Sequence, residues 1–402
     1  MIGGQELPTP AYVYDLDEVA DARDAAFAAL PEPIELYYAV KANPHPELIK
    51  ELASGEGRVC RFEISSSGEL AAVRTAGVAG ERCLYTGPGK TALELDEAIG
   101  QGVRMFSTDS VTDFERVAGV ARRHGVIADC LLRINNVAAN ATTGIRMTGV
   151  PSQFGFDSEA LDDTLPRLRE VEGARIRGLH CFPLSGALDE ASLIGAFEHT
   201  IELALDLERK HDLALEYLDI GGGFNAPYGV PGSRESYPGL GPALELALDR
   251  AFPQWRTGQP RIACESGRFL VGSSGKLLTR VTNVKVSRGR KFVILDAGIN
   301  TFGGMSGLGR LLPVAVGCDE GEPVEKASLV GPLCTPGDAL GREIDVPSLR
   351  EGDLVAIPNA GAYGLTASLV MFLGRPAPLE VVVRGGRVQS RSRVEHVRSY
   401  DV

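Results

Sequence analysis

The sequence lacks several features that would assign it to a specialised class of protein. Its 402 residues include seven widely spaced cysteines and no C-x-x-C pair, so we expect neither a disulfide framework nor a zinc site. No apolar run reaches the roughly 18 residues of a membrane-spanning helix. The opening residues, MIGGQELPTP, have neither the basic start nor the apolar stretch of a signal peptide. We therefore expect a cytoplasmic protein.

Positive charge is also scarce. The chain has 41 Lys and Arg against 53 Asp and Glu, a formal net charge of −12. Proteins that bind nucleic acids or anionic membranes carry basic patches, so we expect neither partner. The six histidines show no H-E-x-x-H or comparable spacing, and we expect no metal site. A content of 44% hydrophobic and 23% charged residues is ordinary for a globular protein.

The chain does contain a repeated alternation of apolar, strand-like segments with helical patterns. Such alternation predicts parallel βαβ units, and eight units over roughly 240 residues predict a (β/α)8 barrel of the TIM type. A doubly wound open sheet is the alternative. The eight predicted strands are 35–41, 61–64, 82–86, 103–107, 129–134, 175–181, 215–220 and 261–265.

After residue 265 the pattern changes to alternating apolar and polar residues with glycine turns. The segment EVVVRGGRVQSRSRV predicts a hairpin that turns at its Gly-Gly pair. We therefore predict an α/β barrel over 26–265 and a mostly β domain over 266–402, with one helix considered at 363–373. The opening strand PAYVYDL, within residues 1–25, is predicted to join the β domain.

Barrel enzymes carry their chemistry at the C-terminal ends of the strands. Taken singly, each polar residue there has a structural explanation: Lys41 as a solvated strand-end charge, or Glu265 as an ion-pair partner of Arg268. Taken together, they would all have to fall at one barrel end by coincidence, so a shared function is favoured. The candidates are Lys41, Glu63, Glu69, His180, the triglycine Gly221–Gly223, Glu265 and Arg268.

This set of side chains suits pyridoxal 5′-phosphate. Lys41 would be the amine that forms a Schiff base with the cofactor. The backbone N–H groups of Gly221–Gly223, with Arg268, would hold the phosphate. Glu265 would pair with the pyridine nitrogen and keep it protonated, which improves the ring as an electron sink. His180 would stack against the ring.

Seven motifs extend this interpretation over nearly the whole chain. In this order they resemble the fold type III pyridoxal-phosphate decarboxylases, the ornithine and diaminopimelate decarboxylase family. The resemblance implies an amino acid decarboxylase whose C-terminal domain is a β-barrel or β-sandwich like that of alanine racemases. It also implies a head-to-tail homodimer with shared active sites. The motifs are YAVKANPHP, FEISSSGEL, GLHCFPLSG, LDIGGGF, CESGRFLV, GPLCTPGD and GAYG.

The resemblance adds residues to the candidate site. Cys334 matches a cysteine that reaches across from the partner subunit and commonly donates a proton after CO₂ leaves. Tyr363 matches a tyrosine that contacts the cofactor phosphate. Ser185 and Gly267 lie in two further motifs and are predicted to bind the cofactor, and Glu63 stands where an aspartate is commoner.

The residue after Cys334 points to the substrate. Ornithine and diaminopimelate decarboxylases usually carry an acid there, which binds the substrate's distal amino group. This chain has Thr335, which cannot pair with an ammonium, so a diamino substrate is disfavoured. The motifs are closest to a specialised-metabolism subgroup that acts on amino acids bound to carrier proteins or joined into siderophore intermediates. The alternatives are diaminopimelate decarboxylation in lysine biosynthesis, an amino acid racemase and an inactive regulatory homologue.

Two glycine-rich stretches are not explained by this interpretation. GPGKT, at 87–91, ends like a nucleotide-binding P-loop, but the first glycine of that motif is replaced by Leu84. GGMSGLGR, at 303–310, lies in the predicted β domain. We expect both to be loops.

Overall fold

The computed structural model describes residues 7–135, 145–146, 151–182, 184–303, 313–316 and 324–400, with the backbone alone at 145–146 and 184–185. The chain forms two compact units. The barrel unit comprises Ala22–Asn225 and Glu235–Gly267, and the strand unit comprises Met1–Asp21, Ala226–Arg234 and Arg268–Val402. Residues 304–310 of the GGMSGLGR stretch lie outside the described residues.

Strands and helices alternate along the barrel unit, and strands dominate the strand unit. The strands are β1 (Ala11–Asp15), β2 (Glu35–Ala39), β3 (Arg61–Ile64), β4 (Cys83–Tyr85), β5 (Met105–Thr108), β6 (Ala128–Asn135), β7 (Ile145–Arg146), β8 (Phe156–Asp157), β9 (Ala174–Cys181), β10 (Leu184–Ser185), β11 (Tyr217–Asp219), β12 (Arg261–Ser266), β13 (Gly275–Ser287), β14 (Arg290–Leu295), β15 (Val324–Val330), β16 (Ala339–Pro347), β17 (Leu354–Ile357), β18 (Leu379–Arg384) and β19 (Arg387–Ser392). The helices are α1 (Leu16–Ala29), α2 (Pro46–Ala53), α3 (Ser67–Thr75), α4 (Ala92–Gly100), α5 (Val111–Arg123), α6 (Leu161–Arg169), α7 (Glu190–His211), α8 (Leu240–Ala251) and α9 (Arg268–Val271).

The barrel is a closed, parallel sheet. Its strands follow the order β5-β4-β3-β2-β12-β11-β9-β6, and β5 pairs with β6 to close the ring. Each of the eight predicted strands corresponds to one of these, so the predicted barrel is confirmed and the open sheet is wrong. Closure leaves the barrel strands without an exposed edge.

Capping side chains begin several helices soon after the barrel strands end. Ser66, Thr91, Ser110 and Asp189 each accept a hydrogen bond from the backbone N–H three residues further on, at the starts of α3, α4, α5 and α7. Such caps satisfy N–H groups that have no partner within the helix. The chain is thereby turned sharply at the strand ends, where the candidate residues lie.

The interior of the barrel is filled in layers, because alternate residues of each strand point inward. The middle layer is a buried, mainly apolar cluster. The layer beyond it, toward the strand C-termini, consists of the next inward-facing residues and is polar. The middle layer contains Tyr37, Leu84, Met105, Leu131, Tyr217 and Ala263.

Close packing of β9 against β11 requires a glycine within the barrel wall. A Cβ added to Gly178 would lie 1.7 Å from the carbonyl oxygen of Tyr217. The two strands pair in parallel there, with Gly178 opposite Tyr217 and His180 opposite Asp219. Gly178 therefore allows the close approach of β9 and β11 just before His180 and Asp219.

The strand unit is built on one sheet. Its strands follow the order β16-β15-β14-β13-β1-β18-β19, with β17 also paired to β13. The opening strand β1 lies between β13 and β18. The hairpin predicted for β18 and β19 is present, and both residues of its turn, Gly385 and Gly386, have positive φ. The helix considered at 363–373 is wrong, since that segment contains only two short 3-10 turns.

The cysteines of the described ranges are free thiols, five of them buried and Cys334 exposed. Burial raises the pKa of the Cys60 and Cys181 thiols to about 12, which makes them poor nucleophiles. In the same part of the chain, no helix has the length and apolar character needed to cross a membrane.

Gly178→Ala should destabilise the barrel, because the added methyl overlaps the Tyr217 carbonyl and the strands must separate. We expect the free energy of unfolding, measured in urea, to fall by about 1–3 kcal/mol. Gly195→Ala is the control: Gly195 is exposed within α7 and an added Cβ would meet nothing within 4 Å. That change should leave stability unchanged or raise it by up to ~1 kcal/mol. Equal effects of the two substitutions would contradict this account.

Candidate active site

Seven barrel strands contribute to one polar layer at their C-terminal ends. All of its side chains are buried except that of Arg133, which is 11% exposed. This is the barrel end at which the sequence predicts chemistry. The layer contains Glu63, Thr86, Ser107, Arg133, His180, Asp219 and Glu265.

Lys41 lies at the edge of this layer. It follows β2 in a single 3-10 turn, Val40–Ala42, and its Nζ donates hydrogen bonds to both carboxylate oxygens of Glu63, at 3.0 and 2.8 Å. The Lys41 side chain is 45% exposed, whereas that of Glu63 is 3% exposed. The amine is therefore held in place by a buried carboxylate, while the lysine side chain itself is nearly half exposed.

The charge of Glu63 depends on this contact. Burial would raise its pKa, but the Lys41 ammonium and hydrogen bonds from Lys41 and Thr86 together lower it. Thr86 Oγ1 donates to Glu63 Oε1 at 2.5 Å. Glu63 is therefore ionised, and it forms an ion pair with Lys41.

Glu69 lies in the first turn of α3, close to this pair. Its Oε2 accepts a hydrogen bond of 2.6 Å from the backbone N–H of Ser65. Burial, and then the negative charge of Glu63, raise its pKa to about 7. Its observed role is to hold the loop between β3 and α3.

His180 lies in the wall of the site as a neutral imidazole. Its Nδ1 is hydrogen-bonded to Ser107 Oγ at 2.7 Å. Burial, and then the cations Arg133, Lys41 and Lys90, lower its pKa well below the usual range. An uncharged ring held at one nitrogen is suited to packing against a flat ligand.

Glu265 and Asp219 are buried carboxyls on adjacent strands, β12 and β11. Burial raises the pKa of Glu265 well above the usual range, and the charges of Asp219 and Glu63 add to this effect. Burial likewise raises the pKa of Asp219 to about 7. Glu265 Oε1 lies 3.4 Å from His180 Nε2. Neither atom has a hydrogen-bond partner among the described residues.

The triglycine turn follows β11 and lies against β12. A Cβ added to Gly221 would lie 2.4 Å from the Cys181 carbonyl oxygen, and one added to Gly222 would lie 2.4 Å from that of Glu265. Gly221 and Gly223 have φ angles of +75° and +132°, which glycine adopts without strain. Only glycine fits at Gly221 and Gly222, because a side chain there would overlap a neighbouring carbonyl oxygen.

The buried polar atoms without partners identify what a ligand must satisfy. In the barrel unit they include His180 Nε2 and Glu265 Oε1, and in the strand unit they include Arg268 Nε. Within the barrel unit, the amine of Lys41 fits the aldehyde of pyridoxal phosphate, and His180 and Glu265 fit its ring.

Three other predicted residues lie in the strand unit or next to it. Gly267 is the last residue of the barrel unit, and Arg268 begins α9 directly after it. Cys334 is exposed on the loop between β15 and β16, which Asp338 anchors by accepting a hydrogen bond of 2.7 Å from the backbone N–H of Leu333.

Tyr363 has a φ of +49°, and its carbonyl accepts a hydrogen bond of 3.0 Å from Tyr228 Oη within the strand unit. Ser185 belongs to β10, but its side chain lies outside the described residues. The cofactor roles of Tyr363 and Ser185 stay predictions.

Sequence reasoning missed four members of the polar layer. They share a signal that could have identified them, because each lies two positions after an inward-facing residue of the middle layer. A polar residue at that position of a barrel strand must point into the catalytic end. The missed residues are Thr86, Ser107, Arg133 and Asp219.

The GPGKT stretch proves to be structural. The side chain of Lys90 is 1% exposed, and its Nζ lies 2.7 Å from Asp113 Oδ2 and 3.8 Å from Asp109 Oδ2. Asp109 in turn lies 3.8 Å from Arg133 Nη1, and the Arg133 guanidinium packs 4.6 Å from the ring centre of Phe154. Lys90 thus stabilises the acidic groups that hold Arg133 beside the candidate site.

Comparison with known proteins identifies close relatives. Residues 16–272 match the family model of the pyridoxal-dependent decarboxylases, pyridoxal binding domain. An L-glutamyl-(BtrI acyl-carrier protein) decarboxylase of Niallia circulans is 33% identical, covering 95% of this chain and 90% of the relative. A diaminopimelate decarboxylase of Aquifex aeolicus is 32% identical, covering 96% and 89%. The structure of Helicobacter pylori diaminopimelate decarboxylase complexed with L-lysine superposes with a TM-score of 0.82 at 26% identity, covering 96% and 94%.

Lys90→Met should destabilise the protein strongly, because it leaves Asp109 and Asp113 buried without their cation. We expect a loss of about 3–5 kcal/mol in the free energy of unfolding. Lys210→Met is the control, since the Lys210–Asp162 pair is 54% and 61% exposed. Its removal should change stability by less than ~1 kcal/mol. A Lys90 variant as stable as the control would show that the buried network is not needed for folding.

Proposed function

The chain belongs to the pyridoxal-dependent decarboxylase family, and we propose that its substrate is an amino acid attached to a larger molecule, such as an acyl-carrier protein. The enzyme is a pyridoxal-phosphate-dependent carboxy-lyase. The bound cofactor supplies an electron sink for the bond electrons left at the substrate's α-carbon when CO₂ departs.

Each residue of the polar layer has a separate task in this proposal. Glu63 holds Lys41 Nζ, the atom to which the cofactor would be attached. Glu265 would accept a hydrogen bond from the ring nitrogen, which satisfies its unpartnered Oε1. His180, held by Ser107, would pack against the ring. This arrangement fixes the ring so that the bond to be broken can be oriented.

The remaining predicted ligands would complete the phosphate site. Gly221–Gly223 forms a turn in which Gly221 and Gly223 have positive φ, and Arg268 has a buried, unpartnered Nε. Tyr363 and Gly267 are proposed from their motifs. Ser185 is proposed on the same basis.

We further propose a homodimer in which Cys334 of one subunit donates a proton at the substrate's α-carbon in the other. Two observations support it. Cys334 is an exposed thiol on an anchored loop. The strand unit also exposes large apolar side chains along one short segment, a pattern typical of an interface. They are Leu369, Met371, Phe372 and Leu373, at 51%, 68%, 44% and 52% exposure.

The single observation that carries the substrate proposal is Thr335. No acid follows Cys334 to pair with a distal ammonium, and an unpaired ammonium in a binding site is strongly disfavoured. Thr335 Oγ1 instead accepts a weak hydrogen bond of 3.3 Å from the N–H of Gly337 in its own loop. An uncharged side chain suits a substrate whose distal end is linked to something else. The relative that acts on a carrier-bound glutamyl group supports this choice.

Lys41→Ala should abolish cofactor attachment, because it removes the amine that Glu63 holds by two hydrogen bonds. We expect loss of the visible absorbance of the bound cofactor and a fall in CO₂ release by at least roughly 10³-fold. Lys50→Ala, on the exposed surface of α2, should retain both. Undiminished CO₂ release from the Lys41 variant would exclude the proposed chemistry.

Thr335→Glu should change substrate preference by supplying the missing acid. We expect the wild type to release CO₂ from carrier-bound glutamate with a kcat/KM at least roughly 100-fold above that for diaminopimelate, lysine or ornithine. The variant should raise kcat/KM for diaminopimelate at least tenfold (about 1.4 kcal/mol). Thr75→Glu, exposed on α3, is the control. A wild type that prefers free diaminopimelate would overturn the substrate proposal.

A further inference from the structure

Asp219 is the buried acid of the LDIGGGF motif, and the chemistry described above assigns it no role. It is 0% exposed, and Glu265 beside it is 3% exposed. One carboxylate oxygen of each, together with a ring nitrogen of His180, lie within 4.8 Å of one another. Asp219 Oδ2 and Glu265 Oε1 both lack a hydrogen-bond partner among the described residues.

The titratable groups that face Asp219 come from several strands. Neighbouring β9 contributes His180 and Cys181, and neighbouring β12 contributes Cys264 and Glu265. Glu63, Lys41 and Arg133 act on the same group of carboxyls from further round the barrel.

Both thiols and His180 are neutral, because burial opposes their charged forms. Three carboxyls, those of Glu63, Asp219 and Glu265, then share the layer with two cations. If all three were ionised, one negative charge in this buried layer would have no compensating cation, which is costly.

We propose that Asp219 is a positioning residue for Glu265, and that the two carboxyls hold a single proton between them before the cofactor binds. One negative charge on the pair and one on Glu63 then face the cations Lys41 and Arg133, and the shared proton removes the third. The raised pKa values of both acids agree with a retained proton. Because the two acids titrate as a pair, the proton belongs to both.

Hydrogen bonds to the backbone allow Asp219 to position Glu265 as well as to share a proton with it. Asp219 Oδ1 accepts from the N–H of Gly221 at 2.9 Å. The carbonyl of Gly221 accepts from the N–H of Glu265 at 2.8 Å. Asp219 is therefore linked through Gly221 to Glu265, and these hydrogen bonds hold the glycine turn and Glu265 together.

The shared proton has a destination once a pyridine ring lies beside Glu265. It can move to the ring nitrogen, which leaves two negative charges on the pair and one positive charge on the ring. No proton has to enter this buried layer from water. The inference rests on the family's cofactor and is independent of which amino acid is the substrate.

The test is a count of protons taken up when pyridoxal phosphate binds to the cofactor-free protein. Calorimetry near pH 7 in buffers of different ionisation enthalpy measures this count for the wild type and for Asp219→Asn. Asparagine keeps an oxygen to accept from Gly221 N–H but cannot hold the proton with Glu265. The variant should therefore take up about one more proton per chain than the wild type.

Two further variants separate charge from position. Asp219→Glu retains a carboxyl and should restore the wild-type proton count even where cofactor affinity falls. Glu380→Gln is the matched control, because Glu380 is a buried acid of the strand unit whose pKa is raised, mainly by burial, to about 7. It should leave the count unchanged. Equal proton uptake by the wild type and Asp219→Asn would overturn the proposal and leave Asp219 a purely structural residue.

The pH dependence of stability provides a measurement that does not involve the cofactor. The folded-state pKa of Asp219, about 7, lies above the ordinary value near 4. The stabilisation from its retained proton is therefore complete below about pH 4 and lost as the pH rises toward 7. Asp219→Asn should flatten the fall in unfolding free energy over this interval in the cofactor-free protein. An unchanged slope would also overturn the proposal.

Discussion

The balance of charge in one buried layer of the barrel is the constraint on which the rest of the site depends. Glu63, Asp219 and Glu265 face Lys41 and Arg133, and these three carboxyls are buried where little water can screen their charges. Ionised groups in such surroundings are tolerated only when they are paired or when a proton neutralises them. The Lys41–Glu63 ion pair, the neutral His180 and the raised pKa values of the other two acids all follow from this constraint.

The scaffold meets this constraint by bringing backbones unusually close together. Gly178, Gly221 and Gly222 each occupy a position where a side chain would overlap a carbonyl oxygen of a neighbouring segment. Beneath the polar layer, the buried cluster around Leu84 and Leu131 separates the charged layer from the other end of the barrel. At its side, the Lys90 network holds Arg133 with two further buried acids. Catalytic geometry and barrel stability therefore depend on the same contacts.

Much of the site could be predicted because the signals were local. An apolar segment that ends on a polar residue identifies a strand end, as at Lys41, His180 and Glu265, and three consecutive glycines identify a turn. Ser107 and Asp219 could have been predicted as well, because each is a polar residue two positions after an inward-facing residue of its strand. GPGKT resembles a phosphate-binding loop because its last three residues match that motif, whereas its lysine turns inward to Asp113. The helix considered at 363–373 failed because its apolar residues do not follow a helical period into a core.

The sequence by itself determined the eight strands, the order of the catalytic motifs and the absence of an acid after Cys334, because each is a property of residues close together in the chain. Tertiary structure decided which groups share charge and protons. Closure of the barrel places β12 against β2 and β11, so that Glu265 lies between Lys41 and Asp219 although both are distant in sequence. Pairing between distant strands depends on the register of the whole ring. No local pattern contains that register, and so only the fold could show that Asp219 acts on Glu265.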